Sequence, residues 1–255
     1  MGNRNPFQAP DVTSRRGGPV KQPLSRDAIV TEALHVLAQE GLQGMSLRKV
    51  AAGLATGPAS LYAYVESLQE LQALVLDRAL ADVKTERLRG PDWEGRLAAL
   101  LRSYLRVLFD TPGLAQLAMT TIAVGPNALR IIEALLGLLE EGGVDGATAA
   151  WAVDLLTLYV TAVAAEQSQR RGRPEDALGP IARVIGAVSA REHPRIFAAR
   201  EDLLAGPGRV EWALEALLKG ILQTPRPRPD GRSRARPAPP RPQNSGRPRR
   251  AKEGV

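Results

Sequence analysis

The sequence predicts an all-α protein, and three observations carry that expectation. Apolar residues recur three and four positions apart through most of the chain, and Gly or Pro punctuates the stretches between. Aromatic residues make up 4% of the 255 residues, so a core must be built mainly from Leu, Ala and Val, which suits helices packed on helices. No segment alternates with the two-residue period of a half-buried strand, and no internal repeat is visible.

Bulk properties narrow the class further. Hydrophobic residues make up 44% of the chain, ordinary for a folded globule. The net charge of +7 is unevenly spread. From Pro225 onward, nine Arg and one Lys stand against Asp230 and Glu253, a net +8. Residues 1–26 carry four Arg and one Lys against Asp11, a net +4, which leaves −5 for the stretch between. Basic flanks around an acidic body suggest a polyanionic partner. There is no Cys, which removes disulfides, thiolate catalysis and Cys-ligated zinc and fits a reducing cytoplasm. No N-terminal stretch reads as a signal peptide and no uninterrupted apolar run reads as a membrane span, so a cytoplasmic protein without a membrane partner is expected.

Taken in order, residues 1–23 form a Pro-, Gly- and Arg-rich basic arm. Ser25 caps a first helix to about Glu40, whose apolar stripe is Ile29, Val30, Ala33, Leu34 and Leu37. Gly41 ends it. Ser46 caps a second helix carrying Val50, Ala51 and Leu54. Ala55, Thr56 and Gly57 make a tight corner, and Pro58 suits the first position of a third helix. In that helix Leu61 and Val65 face inward one turn apart, leaving Pro58, Ala59, Ser60, Tyr62, Ala63 and Tyr64 outside. Ser67 with Glu70 forms a capping box and starts a long helix to about Arg89, broken by Gly90-Pro91. Asp92 caps the next helix, with Leu97, Leu100, Leu101, Tyr104, Leu105 and Leu108 at helical spacing. A short segment from Leu114 to Ala123 precedes the Gly125-Pro126 corner. Helices follow over about 127–141, 146–170, 181–190, 194–204 and 210–222. From Pro225 a Pro/Arg tail begins, in which eight prolines forbid a helix. Its Gly246-Arg247-Pro248-Arg249 partly matches a minor-groove AT-hook core without that motif's basic flank. The expected organisation is therefore an arm at 1–23, a helix-turn-helix head at 24–72, a helical body at 73–223 and a tail at 224–255.

A short helix, a three-residue corner and a second helix too short to bury itself is the helix-turn-helix pattern, although any αα-hairpin shares the spacing. Leu61-Tyr62-Ala63-Tyr64-Val65, after Leu47-Arg48-Lys49-Val50-Ala51 and before Glu70-Leu71, resembles the DNA-binding domain of TetR-family transcriptional regulators. The likeness covers about Ser25 to Val75 and continues more weakly to about Gly220, where it is to the tetracycline-repressor type of C-terminal domain. It implies a repressor that binds a palindromic DNA operator as a homodimer and is released by a small-molecule inducer, with no metal or other cofactor required.

In such a head, holding phosphates and reading bases are separate jobs. Lys21, Arg26 and Lys49 can hold phosphates, and the N-terminus of the helix at Ser67 offers free N–H groups. Arg48 can make a two-pronged contact to guanine, and the resemblance places it at a base-reading position. Pro58, Ala59 and Tyr62 offer apolar surface to thymine methyls. By resemblance Ser60 and Tyr64 fall at phosphate-contact positions. Ala63 is small where relatives often carry a larger residue, and Leu68 stands where a phosphate-binding Lys is common.

For the body, the resemblance places helices 146–170 and 210–222 in the bundle of a dimer, while their periodicity fits an intramolecular core equally well. Candidate linings of the effector pocket are Leu101, Tyr104, Leu105, Met119, Trp151, Leu155, Tyr159 and Phe197. Glu166 falls where tetracycline-repressor-type bodies carry a Glu that serves drug-bound magnesium. That pocket also uses a His, and neither His35 nor His193 aligns with it, so the magnesium chelate is not the expected inducer. An enzyme is disfavoured by the lack of a Cys nucleophile, His-based triad, P-loop, GxGxxG or HExxH. The remaining alternative is an effector-independent, architectural DNA binder that uses the basic tails.

Overall fold

The computed structural model describes residues 5–7, 24–170, 179–204 and 208–227. Among them there is no strand; twelve helices carry the fold. The first three make the head: α1 (Arg26–Gly44), α2 (Leu47–Gly53) and α3 (Pro58–Leu61). Helix α4 (Leu68–Leu80) leaves the head and enters the body, running through the boundary expected at 72/73. The body contains α5 (Trp93–Asp110), α6 (Leu114–Thr120), α7 (Pro126–Glu141), α8 (Gly146–Arg170), α9 (Gly179–Gly186), α10 (Pro194–Ala198), α11 (Arg200–Leu204) and α12 (Arg209–Gln223).

The starts of these helices follow from the capping chemistry in the sequence. Ser25, Ser46 and Ser67 each accept a hydrogen bond from the backbone N–H three residues on, at 3.1, 3.3 and 3.1 Å. Asp92 does the same for Gly95 at 2.8 Å. Each such cap stabilises its helix by about 1 kcal/mol. α3 and α7 instead begin with Pro at the first position, where no N–H is needed. Gly41, at φ 69° and ψ −179°, breaks the helical path of α1 where the sequence places its end, and a further turn follows it to Gly44.

Two differences from the sequence reading have clear causes. Helix α4 stops at Leu80 and not near Arg89. Carbonyls at and just past its end are bound by Arg130 of α7, whose guanidinium donates to Leu80 O, Ala81 O and Val83 O at 3.3, 3.1 and 3.0 Å. The helix tightens as it ends, with Asp82 N on Ala79 O and Val83 N on Leu80 O at 3.3 and 3.1 Å, and the chain then reaches Arg87 at φ 51°. The single helix expected over 194–204 is two short pieces, because Ala199 closes α10 as its C-cap.

Core packing is continuous from head to body. Ile29, Leu37, Leu61 and Leu71 are fully buried around the head, and Leu100, Leu108, Leu117 and Leu135 are so in the body. Gly113 joins the two. Its φ of +77° favours glycine, and a Cβ there would lie 3.0 Å from the Leu37 carbonyl oxygen and 2.9 Å from its Cδ1. Helix α8 packs against α5, α6 and α7 on one side. It is also long and apolar enough to cross a bilayer, with a mean hydropathy of 1.5 over its most apolar window. The core takes one side of it, through Ala149, Ala152, Val153, Leu156, Val160 and Ala164.

Candidate DNA-binding head and effector cavity

On the head, Leu61 and Val65 point inward as their spacing requires. Pro58, Ala59, Ser60, Tyr62 and Ala63 are exposed beside Arg48 and Lys49 at the start of α2. Tyr62 keeps 57% of its surface open to solvent. Arg48 forms no hydrogen bond or ion pair with any described residue, so its guanidinium is available for an external partner. The corner between α2 and α3 is tight enough to hold Ala55 at φ 48°. Thr56 N closes it on Ala51 O at 2.9 Å.

Four expectations for the head need correction or qualification. Tyr64 is not on the outer face: it is buried, and its hydroxyl donates to Leu24 O at 2.9 Å. It therefore bolts α3 to the entry of α1. Arg26 is engaged in the same joint, donating through Nε and Nη2 to Tyr64 O at 3.4 and 3.3 Å and through Nη1 to Pro6 O at 3.1 Å. Lys49 pairs with Glu40 on the surface. At the start of α4, Ser67 Oγ occupies Glu70 N and the Glu70 carboxylate occupies Glu66 N at 2.7 Å. That end already holds an acid where a phosphate was expected. Lys21, the other residues of the basic arm apart from 5–7, and the Pro/Arg tail beyond residue 227 lie outside the described residues.

A reciprocal clasp ties α4 to α7. Asp77, buried on α4, accepts from Asn127 N, Ala128 N and Asn127 Nδ2, each at 3.0 Å, and so caps α7. A Cβ on Gly125 would fall 2.1 Å from the Asp77 Cγ, so only glycine lets the carboxylate approach. Arg130 returns the favour at the other end by binding the terminal carbonyls of α4 and Thr85 Oγ1 at 2.5 Å. Sequence reading missed both residues. The available signal was an acid three positions after Leu74, on the buried side of α4.

Below this clasp lies a cavity of about 470 Å³ walled by five helices, α4 to α8. Leu80 brings α4 to it, and Ile131, Ile132 and Leu136 bring α7. Two of the sequence candidates line it, Tyr104 and Met119, together with Thr157 and Thr161, which were missed. Burial raises the Tyr104 pKa above its ordinary value, and its hydrogen bond to Thr161 offsets part of that.

The other candidates do not converge there. Trp151, Leu155 and Tyr159 line a separate groove of about 740 Å³ between α8 and α12. Burial, followed by the nearby charges of Glu166 and Glu211, raises the Tyr159 pKa. Leu101 lines a cleft of about 260 Å³ between α5 and α12, and Leu105 packs half-buried against the core. Glu166 pairs with Arg170 on the surface, and Phe197 is exposed beneath the Arg200 guanidinium, 4.4 Å from its ring centre. The cause is helical geometry: residues 151, 155 and 159 of α8 share one face, and Thr157 and Thr161 share another.

The C-terminal sequence decides the family. Residues 88–224 match the model of the tetracyclin repressor-like C-terminal domain. The chain belongs to the TetR family of transcriptional regulators. Among curated relatives of this regulator, the transcriptional repressor DrrR1 of Streptomyces coeruleorubidus is 34% identical over 212 residues, covering 79% of this chain and 78% of that protein. A transcriptional regulator of Saccharopolyspora erythraea is 32% identical over 66% of this chain and 71% of its own length. Among solved structures, apo ActR of Streptomyces coelicolor superposes with a TM-score of 0.71 at 33% identity, over 80% of this chain and 97% of that one. ActR bound to actinorhodin fits equally well, at 34% identity over 78% and 96% of the two chains. TetR-family regulators bind DNA and small-molecule effectors and are not enzymes.

Proposed function

We propose that the protein is a repressor that binds a palindromic operator as a homodimer and releases it when a small molecule fills the α4–α8 cavity. The observation that carries this reading is α4 itself: it begins beside the recognition helix at Ser67 and ends at the cavity wall with Leu80. A ligand that prefers one position of α7 must shift α4 through the Asp77–Arg130 clasp, and with it the separation of two heads. Arg48 reads a base, and Pro58, Ala59, Ser60, Tyr62 and Ala63 form the contact face. Lys21 and the basic arm, with Lys49, supply phosphate contacts.

The second copy belongs on the outer face of α8 and α12. Trp151 and Leu155 of α8 are 58% and 42% exposed, and Trp212 of α12 is 70% exposed. An apolar face of this kind on a soluble chain marks an interaction surface. A dimer doubles the few base pairs one head can read and matches a two-fold operator.

The test is a selection of duplex DNA from a random pool with the full chain, followed by titration of the selected site. An inverted repeat bound by two chains is expected. Neutral fused-ring phenols are the first effectors to try for release, with actinorhodin, which ActR binds, as the comparison. A chain that stays single in solution and selects no inverted repeat would overturn the reading.

A further inference from the structure

The chemical class of the effector can be narrowed from the hydrogen-bond bookkeeping of the cavity, given the reading of that cavity as the effector site. Thr161 Oγ1 lies 2.7 Å from Thr157 O. A carbonyl has no hydrogen to give, so the Thr161 hydroxyl is the donor there and its one proton is spent. Its second contact, 3.0 Å from Tyr104 Oη, must then be donated by the phenol. Thr157 repeats the pattern, donating to Val153 O at 2.8 Å and to Asp154 O at 3.2 Å. Back-bonding to the preceding turn of a helix is a stable arrangement for Thr.

The hydrogen-bonding capacity left on these three lining groups is lone pairs, on Tyr104 Oη, Thr161 Oγ1 and Thr157 Oγ1. The Asp154 carboxylate adds two more acceptor oxygens at the rim. Thr121, also in the lining, has no hydrogen bond with a described residue and keeps a free rotor. No Lys, Arg or His is among the lining residues. An anion would enter this apolar space without a counter-charge, and an acceptor-only ligand would leave the wall's lone pairs dry and unpaired.

We infer that the cavity selects apolar, ring-sized molecules that present an O–H or N–H donor to the Tyr104–Thr161 pair, and that it discriminates against carboxylates. Size sets the frame, because about 470 Å³ suits a few fused rings.

Three fluorescent probes of one shape test this with the full chain: 2-aminoanthracene, 2-methylanthracene and anthracene-2-carboxylate. The amine should bind about tenfold more tightly than the methyl compound, one well-made buried hydrogen bond being of that order. The carboxylate should show no saturable binding. Replacing both partners of the buried pair, Tyr104→Phe with Thr161→Val, should bring the amine and the methyl compound toward parity while the methyl compound's affinity holds. Ala118→Phe, which fills the cavity, should block both.

The inference is overturned if the methyl compound or the carboxylate binds as tightly as the amine while Ala118→Phe still blocks binding. That result leaves the cavity as the effector site. If no probe binds, or Ala118→Phe leaves binding unchanged, the cavity reading falls and the donor preference falls with it.

Discussion

Head and body treat their polar groups in opposite ways. On the outer face of the head, Arg48, Ser60 and Tyr62 are exposed, with their polar ends turned to solvent. In the body and at its junction with the head, Asp77, Tyr104 and Thr161 are buried, and each is hydrogen-bonded. The difference is physical. A group meant for DNA must remain free and hydrated until the duplex arrives, whereas a buried polar group without a partner destabilises the fold by about 1–3 kcal/mol. Substitutions in the two classes should therefore separate cleanly, the buried ones altering stability and the exposed ones altering binding alone.

The largest effect is expected at the clasp. Asp77→Ala strips the acceptor from one buried and one half-buried backbone N–H group and from one side-chain amide. It should lower unfolding free energy by about 3 kcal/mol in urea or thermal melts. Asp27→Ala removes an exposed partner of Arg78 on the same helix and should change stability by less than about 1 kcal/mol. Equal effects from the two would show that the clasp contributes no more than a surface ion pair.

Next comes the outer face of α8 and α12. Trp151→Ala with Trp212→Ala removes the largest exposed apolar groups of that face. If a second copy covers them, dimer dissociation should increase by about 2 kcal/mol or more, read by sedimentation at falling concentration. An unchanged mass would place the second copy elsewhere. Arg226, whose guanidinium lies 4.5 Å from the Trp151 ring centre, is the group to watch in this experiment.

How much of this was legible in the sequence differs between the same two regions. The head was legible because its determinants are local: Ser25, Ser46 and Ser67 cap within three residues of themselves, and Pro58 starts its own helix. The family resemblance rested on neighbouring letters, Leu47 to Ala51, Leu61 to Val65 and Glu70-Leu71. The cavity was less legible because α8 is apolar on nearly every side. Trp151, Leu155 and Tyr159 obey the same helical spacing as Val153, Val160 and Ala164, yet only the second set is in the core. Which stripe faces inward is decided by packing against α5, α6 and α7, which the periodicity of α8 does not encode. Hydropathy also ranks Thr157 and Thr161 below the large side chains, although their hydroxyls are part of the polar character of the cavity wall. Asp77 was missed for the converse reason: its partners, Asn127 and Ala128, lie fifty residues downstream.

A smaller effect, confined to binding, belongs to Arg48. Arg48→Ala should weaken operator binding by about 1–3 kcal/mol and relax one base position in a repeated selection. Because Arg48 makes no hydrogen bond or ion pair with a described residue, the melting curve should not move. A loss of affinity spread equally over all sequences would assign it to a phosphate instead.

The smallest expected effect is also the one that best separates the two classes, because it concerns a residue whose sequence assignment and structural position disagree. Tyr64 matches a phosphate-contact position by resemblance, and its hydroxyl is buried against Leu24 O. Tyr64→Phe keeps the ring and removes one hydrogen bond, so stability should fall by about 1 kcal/mol. A phosphate contact made by a neutral hydroxyl releases no extra counterion, so the salt slope cannot discriminate and affinity must. With Tyr64 in a structural role, Tyr64→Phe should leave operator affinity unchanged at temperatures well below the melt, where the head is folded in both proteins. A loss of affinity under those conditions would mean that the hydroxyl turns outward on DNA, exchanging Leu24 for a phosphate oxygen. The joint between α1 and α3 would then be part of the binding switch and not merely its scaffold.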